Sequence, residues 1–255
     1  MKIVRNIEEL HTARNAFVGG VSYVPTMGAL HAGHLSLVAL AKSKAEHVVV
    51  SIFVNPTQFA PHEDLDSYPR DEEKDAQMLR TAGVDILFLP SEDVLYPDGH
   101  ATHYETGDAA QGLETDFRPH FFGGVINVVS RLFNAIHPDI AIFGEKDYQQ
   151  LQVIREMVDH YDMGVEIIGA PIARDEYGLA LSSRNAYLSV DELDVARKLN
   201  IILRDTATSE DTEAAISKLL DAGFDKVDYV AKRWERVLAA AYIGKTRLID
   251  NIAVK

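Results

Sequence analysis

Residues 21–45 have the sequence VSYVPTMGALHAGHLSLVALAKSKA, and this stretch decides the class of fold. It starts with a short apolar run that predicts a buried strand over Val21–Val24. Apolar residues then recur at helical spacing, which predicts a helix over Leu35–Ala45. The turn between them is rich in glycine and histidine. A strand that enters a helix in this way is typical of a parallel α/β sheet.

The same alternation of short apolar runs and helical segments continues through the larger, N-terminal part of the chain. Right-handed crossovers then give a doubly wound, Rossmann-like parallel sheet of the α/β class. Ligands of such sheets bind beyond the carboxyl ends of the strands, so the functional residues are expected there. The other predicted strands are His47–Val54, Val84–Leu89, Asp139–Phe143 and Val165–Ile168, and the other predicted helices are Asp71–Ala82, Val125–Ile136 and Tyr148–His160.

The pattern changes after Pro171 and predicts a smaller α+β domain at the C-terminus. We therefore expect two domains, residues 1–172 and residues 173–255. The predicted helices of the smaller domain are Asp191–Thr206, Asp211–Ala222 and Ala231–Ala241, and its predicted short strands are Asp228–Val230 and Arg247–Ile252.

Composition limits the partners of the chain. Its 255 residues are 47% hydrophobic and carry a formal net charge of -14, which repels nucleic acid and anionic lipid. A small anionic nucleotide is still compatible with that charge, because local amides and cations decide its binding. The chain has no cysteine, so disulfides and thiol chemistry are excluded. Since no apolar run is long enough for a membrane helix, we expect a cytoplasmic protein.

Two histidines, His31 and His34, lie in the turn after the first predicted strand. Their spacing puts both imidazoles on one face at the start of a helix, where free amides and the helix dipole favour phosphate. Gly28 and Gly33 let a ligand approach the backbone. Purely structural histidines and metal ligands are the alternatives, although no third metal ligand is evident nearby. The pair resembles the HxGH signature of nucleotidyltransferases and class I synthetases.

A second polar segment follows the strand predicted over His47–Val54. Asn55 and Gln58 offer neutral donors and acceptors, which suit a substrate with hydroxyl groups and a carboxylate. The alternative is a capped strand end at which Pro56 stops the ladder. The position at the carboxyl end of a strand favours a role in binding.

Residues 143–150, FGEKDYQQ, form a third such segment. Lys146 can neutralise phosphate, Asp147 can cap a helix or bind a ribose hydroxyl, and Gln150 falls near the first turn of the next helix. A solvated turn is the alternative.

Residues 178–185, GLALSSRN, lie just beyond the predicted domain boundary. The hydroxyls of Ser182 and Ser183 and the guanidinium of Arg184 suit a loop that folds over a triphosphate. A serine-rich linker is the alternative.

With these segments, the sequence resembles the pantothenate synthetase family, also called the pantoate-beta-alanine ligases. The resemblance implies a Rossmann-type domain that binds ATP and pantoate, and a small C-terminal domain that acts as a lid. It further implies a homodimer and Mg²⁺ bound mainly through the triphosphate. The matching strings run from about Ser22 to Asn251 in the family's order: VPTMGALHAGH, VVVSIFVNPTQF, DLDSYPRDEEKD, RLFNAIHPDIAIFGEKDYQQL, GLALSSRNAYL and RLIDN.

The resemblance also implies roles for single residues. His34 would be the catalytic proton donor, and His31, Lys146 and Arg184 would stabilise charge on the phosphates. Gln58 and Gln150 would hold pantoate, Gln58 would border the beta-alanine site, and Asn55 joins them in the predicted substrate set. The predicted contacts to ATP are Met27, Gly28, Ala29, Leu30, His31, Ala32, Gly33, His34, Gly144, Glu145, Lys146, Asp147, the backbone at Ala173, Leu181, Ser182, Ser183 and Arg184.

One stretch departs from the family's pattern. Relatives commonly have R-P-x-H-F-x-G-V where residues 118–125 are RPHFFGGV, so the usual histidine position is Phe121, and Gly123 is a further difference. A histidine lies one place earlier, at His120. Adjacent residues of an extended segment point to opposite sides, so His120 need not replace the missing histidine.

The resemblance predicts an enzyme that condenses pantoate with beta-alanine through pantoyl adenylate and releases AMP and pyrophosphate. Two other functions are kept as alternatives. One is an HxGH adenylyltransferase whose end product is the adenylylated substrate, and the other is a nucleotide-binding protein without catalysis. Gln58, Gln150 and the SSRN segment favour the ligase.

Overall fold

The computed structural model describes residues 1–60 and 65–254. The string DLDSYPRDEEKD begins at Asp64, which lies outside the described residues, and the rest of it lies within them. The chain divides into two compact units. The first comprises Met1–Glu145 and Gln149–Ala170, and the second comprises Lys146–Tyr148 and the chain from Pro171 to the C-terminus.

Six parallel strands form the sheet of the first unit, in the order β1-β4-β3-β2-β5-β6. The predicted doubly wound α/β fold is therefore confirmed. The short edge strand β1 and the helices α1, α4 and α5 are additions to the prediction. The strands are β1 (Lys2–Val4), β2 (Val21–Thr26), β3 (His47–Ile52), β4 (Ile86–Phe88), β5 (Ile140–Gly144) and β6 (Glu166–Ala170). The helices are α1 (Ile7–Arg14), α2 (Ala32–Lys44), α3 (Glu72–Ala82), α4 (Glu92–Leu95), α5 (Glu114–Phe117), α6 (Phe121–Ile136) and α7 (Tyr148–His160).

The core of the first unit fills the space between the sheet and the helices packed on it. Buried valines of β2 and β3, among them Val24 and Val50, pack against Val38 of α2 and Leu79 of α3. Burial on both faces explains why these strands are continuous apolar runs without alternation. Within the described residues, none of the helices combines the length and apolar character needed to cross a membrane.

Among its described residues, the second unit has two α-helices and a three-stranded antiparallel sheet in the order β7-β8-β9. Its α+β composition is the predicted one. Its apolar core includes Leu199 and Leu203 on the helical side and Val237 and Ala239 on the sheet side. The elements are α8 (Val190–Ser209), α9 (Thr212–Asp221), β7 (Lys226–Arg233), β8 (Arg236–Ile243) and β9 (Thr246–Ala253).

The helix predicted over Ala231–Ala241 is wrong, because those residues complete β7 and form most of β8. Trp234 and Glu235 make the turn between the two strands, with φ of 51° and 55°. A two-residue turn with both φ values positive joins antiparallel strands, but its usual signal is Asn-Gly, which this chain lacks. The alanines of β8 favour a helix by propensity, and pairing of this strand on both sides overrides that preference.

Candidate functional site

The sheet of the first unit opens between β2 and β5. These neighbours pair at only two positions, Ser22 with Ile140 and Tyr23 with Ala141, whereas β2 pairs with β3 over six. Beyond Tyr23 and Ala141 the two strands diverge toward their carboxyl ends. The strand order also reverses there, since β3 and β4 lie on one side of β2 and β5 and β6 on the other. Doubly wound sheets bind their ligands at this switch point.

His31 and His34 lie at the end of the loop after β2 and cap α2 reciprocally. Nδ1 of His31 accepts from the amide of Gly33 at 3.1 Å, and Nδ1 of His34 accepts from the amide of His31 at 3.3 Å. The two ring centroids are 4.1 Å apart. The predicted start at Leu35 is wrong, because His31 as N-cap lets the helix begin at Ala32.

The capping bonds fix the tautomer of both rings. A nitrogen that accepts a hydrogen bond carries no proton, so each neutral imidazole holds its proton on Nε2. Each ring therefore has a donor on the side away from its capping bond. Two N–H donors side by side at the N-terminus of a helix are suited to phosphate oxygens.

Most amides of this loop donate to side chains of the chain itself. The carboxylate of Asp75 on α3 accepts from the amides of Ala29 and Leu30, each at 2.8 Å. The amide of Gly28 donates to the hydroxyl of Thr26 at 3.3 Å. The expectation of free amides therefore does not hold at these positions, and the imidazoles are the stronger candidates for contact with phosphate.

Asp75 is only 2% exposed. Burial raises the pKa of its carboxyl group, while the amides of Leu30 and Ala29 act in the opposite direction. Sequence reasoning did not single out this residue. A carboxylate in the first turn of a helix is usually explained by the helix dipole alone.

Asn55 is 1% exposed, and every polar atom of its side chain has a partner within the chain. Its Oδ1 accepts from the hydroxyls of Tyr96 at 2.8 Å and Thr57 at 3.0 Å. Its Nδ2 donates to Oε1 of Gln58 at 3.2 Å and to the carbonyl of Gly124 at 3.1 Å. An amide has two N–H donors, and both are used within the chain, so Asn55 holds neighbouring groups in place.

Gln58 lies at the end of the 3-10 turn Pro56–Gln58 and is half-buried. Because Asn55 donates to its Oε1, the carboxamide is oriented with Nε2 toward Met27, whose Sδ it meets at 2.9 Å. The backbone carbonyl of Gln58 accepts from Arg118 at 3.3 Å. The structure thus brings together Gln58, Met27 and Asn55, three of the predicted residues.

The two glutamines after β5 differ in environment. Gln149 is buried, and its side chain bonds the amide of Glu114 and the carbonyls of Ala109 and Gly112. Gln150 is half-buried and makes no side-chain hydrogen bond within the described part of the chain. Gln150, the predicted substrate ligand, is therefore the one of the pair that can bind a ligand. Gly144 and Glu145, also predicted, end β5 and follow it.

The stretch that departs from the family's pattern forms the start of α6. Phe121 is buried and His120 before it is exposed, so the two side chains occupy different environments. The reason is the start of a helix and not the extended segment expected from the sequence. The guanidinium of Arg118 lies 3.9 Å over the Phe121 ring. His120 therefore does not occupy the position of Phe121.

The second unit contains the remaining predicted residues. The carbonyl of Ala173 accepts from the amide of Leu181 at 2.9 Å, which closes a short hairpin. Ser182 caps the 3-10 helix Ser183–Tyr187 through the amide of Arg184, so the SSRN segment is ordered and not a plain linker. Lys146 is half-buried, and its carbonyl accepts from Asn251 at 3.0 Å. Asp147 follows it in a 3-10 turn.

The described residues contain no group of three His, Asp or Glu side chains that could hold a metal ion. A magnesium ion held by a triphosphate needs no such group, so the residues present are compatible with one that arrives on a nucleotide.

The predicted residues thus divide between the two units. Residues 27–34, 55, 58, 144, 145 and 150 belong to the first, and residues 146, 147, 173 and 181–184 belong to the second.

Comparison with known proteins shows similarity along the whole chain. Residues 2–253 match the family described as pantoate-beta-alanine ligase. Pantothenate synthetase of Mesorhizobium japonicum is 54% identical over 254 residues, covering 92% of this chain and 90% of the relative. Pantothenate synthetase of Sphingopyxis alaskensis is 49% identical and is covered in full, as is this chain.

Solved structures give the same result. The crystal structure of pantothenate synthetase from Thermus thermophilus is similar with a TM-score of 0.90 and 41% identity, covering 100% of this chain and 99% of the other. A pantoate-beta-alanine ligase from Francisella tularensis, complexed with beta-gamma ATP and beta-alanine, is similar with a TM-score of 0.92 and 41% identity, covering 99% and 97%.

Proposed function

This chain belongs to the pantoate-beta-alanine ligase family, and we propose that it carries out the ligation of pantoate and beta-alanine in two steps, through pantoyl adenylate. It is accordingly an ATP-dependent enzyme that forms a carbon–nitrogen bond. Within the structure, the reciprocal histidine pair at the start of α2 is the observation that carries the proposal. It offers two N–H donors at the switch point of the sheet, where a triphosphate is expected.

A carboxylate reacts poorly with an amine, because oxide would have to leave. The reaction therefore proceeds in two steps. In the first step, a carboxylate oxygen of pantoate attacks the α-phosphorus of ATP. The new O–P bond replaces the bond to the β-phosphate, and pyrophosphate leaves. In the second step, the amine of beta-alanine attacks the activated carbonyl, the bond to AMP breaks, and the nitrogen loses a proton. A good leaving group thus divides one difficult step into two easier ones.

We assign the charge-stabilising roles to His31, His34, Lys146 and Arg184. The Nε2 donors of the two imidazoles would bind phosphate oxygens, whose negative charge grows as pyrophosphate leaves. Lys146 and Arg184 would supply positive charge to the phosphate oxygens, and that of the Arg184 guanidinium is permanent. The half-buried position of Lys146 supports this role, because a cation partly removed from water acts more strongly on a nearby anion.

We assign pantoate binding to Gln58 and Gln150. The fixed orientation of Gln58 and the absence of a hydrogen-bond partner for Gln150 among the described residues support this assignment. Asn55 is proposed to act through Gln58. Mg²⁺ would enter with ATP, bound mainly through the triphosphate, where it would neutralise charge. A homodimer and a cytoplasmic location complete the proposal, and sedimentation velocity tests the first of these.

The deciding experiment mixes the protein with Mg-ATP, pantoate and beta-alanine. We expect equimolar AMP, pyrophosphate and amide product. Without beta-alanine, pantoate-dependent exchange of pyrophosphate into ATP should remain, because the first step is reversible. Release of an adenylylated product without AMP would favour an adenylyltransferase. Absence of exchange would leave only nucleotide binding.

A further inference from the structure

The loop between β2 and α2 is hydrogen-bonded to one buried carboxylate. Asp75 lies in the first turn of α3, and its two oxygens each accept from one of two consecutive amides, those of Ala29 and Leu30, at 2.8 Å. Hydrogen bonds to an ionised group are roughly twice as strong as those between neutral groups. The carboxylate thus binds the loop much as an internal anion would.

The loop needs such support because its backbone is unusual. Gly28 and Ala29 both have positive φ, 83° and 51°. For alanine, the left-handed region is unfavourable, because Cβ comes too close to the following carbonyl oxygen. Successive residues of this kind turn neighbouring amides toward a common point, and here that point is occupied by Asp75.

The carboxylate of Asp75 also lies close to Gly28 and would crowd a side chain there. A Cβ atom at Gly28 would lie 3.1 Å from Oδ2 of Asp75 and 3.0 Å from Cγ2 of Ile52, which is closer than most real contacts of that atom. Glycine therefore allows both the conformation of the loop and the approach of the carboxylate.

The histidine pair begins directly after the two amides that donate to Asp75. Leu30 is followed by His31, whose Nδ1 caps α2 and whose amide donates to His34. A shift of the amides at Ala29 and Leu30 would therefore change where α2 starts and where both imidazoles point.

We propose that Asp75 is a positioning residue for the adenylation step, which holds residues 28–30 so that His31 and His34 present their Nε2 donors to the triphosphate. This inference rests on the proposed function of the two histidines. Asp75 itself touches no substrate in this account. Its effect is confined to the step in which pyrophosphate leaves.

The test is Asp75→Asn, which keeps the shape of the side chain but turns one acceptor into a donor facing a backbone amide. We expect pantoate-dependent exchange of pyrophosphate into ATP to fall by about tenfold to a hundredfold, because small misplacements of catalytic groups have effects of that size. The second half-reaction, from added pantoyl adenylate and beta-alanine, should be nearly unchanged. Asp85→Asn is the matched control, since Asp85 accepts from the amide of Val48 at 2.8 Å and not from this loop.

A structural role alone would reduce both half-reactions together, and that result would overturn the proposal. Full exchange activity in Asp75→Asn would overturn it as well. If His34→Ala lost exchange while Asp75→Asn kept it, only this inference would fail, whereas normal exchange in His34→Ala would contradict the proposed function of the pair. Should Asp75→Asn not fold, Asp75→Glu shifts both acceptors by one methylene, and unequal loss between the half-reactions is again required.

Discussion

Each histidine of the pair uses one ring nitrogen for the backbone and can use the other for a phosphate. The bonds through Nδ1 define the start of α2, and the Nε2 donors are the groups proposed for catalysis. Substitution can separate these roles, because the Oδ1 atom of asparagine stands at nearly the same distance from the backbone as Nδ1 of histidine.

We predict that His34→Ala loses about 1 kcal/mol of stability with its cap and at least about a hundredfold in adenylation. His34→Asn should recover most of the stability, because its Oδ1 can accept from the amide of His31. Its adenylation rate should stay as low as that of the alanine variant. Thermal unfolding and pyrophosphate exchange measure the two quantities. Recovery of exchange in His34→Asn would mean that capping is the whole role.

Single residues also show the limit of prediction from residue type. Asn55 and Gln58 lie three positions apart and both carry a side-chain carboxamide. Gln149 and Gln150 are adjacent and also share this group. In each pair, one member is buried with its hydrogen bonds satisfied and the other is half-buried. The sequence could not tell which member of each pair is buried and which is half-buried, because burial depends on distant residues such as Tyr96 and Glu114.

Helix α6 approaches the turn that carries Gln58 closely at one of two neighbouring glycines. A Cβ atom at Gly124 would lie 2.5 Å from the carbonyl oxygen of Thr57 and 2.8 Å from the amide nitrogen of Gln58. The same atom at Gly123 would meet nothing within 4 Å. Successive helix residues point about 100° apart, so only Gly124 faces the turn.

We predict that Gly124→Ala destabilises the protein by about 1 to 3 kcal/mol, because backbone atoms must move to admit the methyl group. The shift should also raise the KM for pantoate through Gln58. Gly123→Ala is the matched control, and it should gain about 0.5 to 1 kcal/mol, as alanine favours a helix. Urea unfolding and steady-state kinetics provide the measurements. Equal effects of both variants would contradict the close approach.

The β7–β8 hairpin shows the corresponding limit for elements. Five consecutive buried residues, Val237–Ala241, leave no alternation of apolar and polar side chains to mark a strand. Local sequence therefore favoured a helix. The pairing of β8 with β7 on one side and β9 on the other decided the outcome, and the spacing of apolar residues along β8 alone does not reveal it.

At the scale of the whole molecule, Tyr23 couples the stability of the first unit to alkaline pH. Its ring is fully buried, and its hydroxyl lies 2.6 Å from Oγ of Ser51. Burial raises the pKa of Tyr23 well above its ordinary value, and the bond to Ser51 opposes this only in part. Because the folded pKa exceeds the unfolded value of about 10, the contribution to stability is present below that pH and is lost as the pH rises above it.

We predict that Tyr23→Phe is less stable than the wild type by about 1 to 2 kcal/mol at pH 8, through loss of the bond to Ser51. Above pH ~10 the wild type should lose about 1.4 kcal/mol per pH unit that the variant does not lose. The difference should therefore vanish near pH ~11. Urea unfolding at several pH values measures it, with the exposed Tyr177→Phe as control. A constant difference across this range would refute the assignment.

The sequence by itself determined the alternation of strands and helices, the class of fold, the family and the segments that carry polar chemistry. These follow from local patterns: apolar runs, helical spacing, and the residues at strand ends. Only the tertiary structure decided that His31 caps α2, that Asp75 occupies the amides of Ala29 and Leu30, and that Asn55 supports Gln58. The reason is physical, since each of these depends on which remote groups share a buried space, and a pattern along the chain does not specify those neighbours.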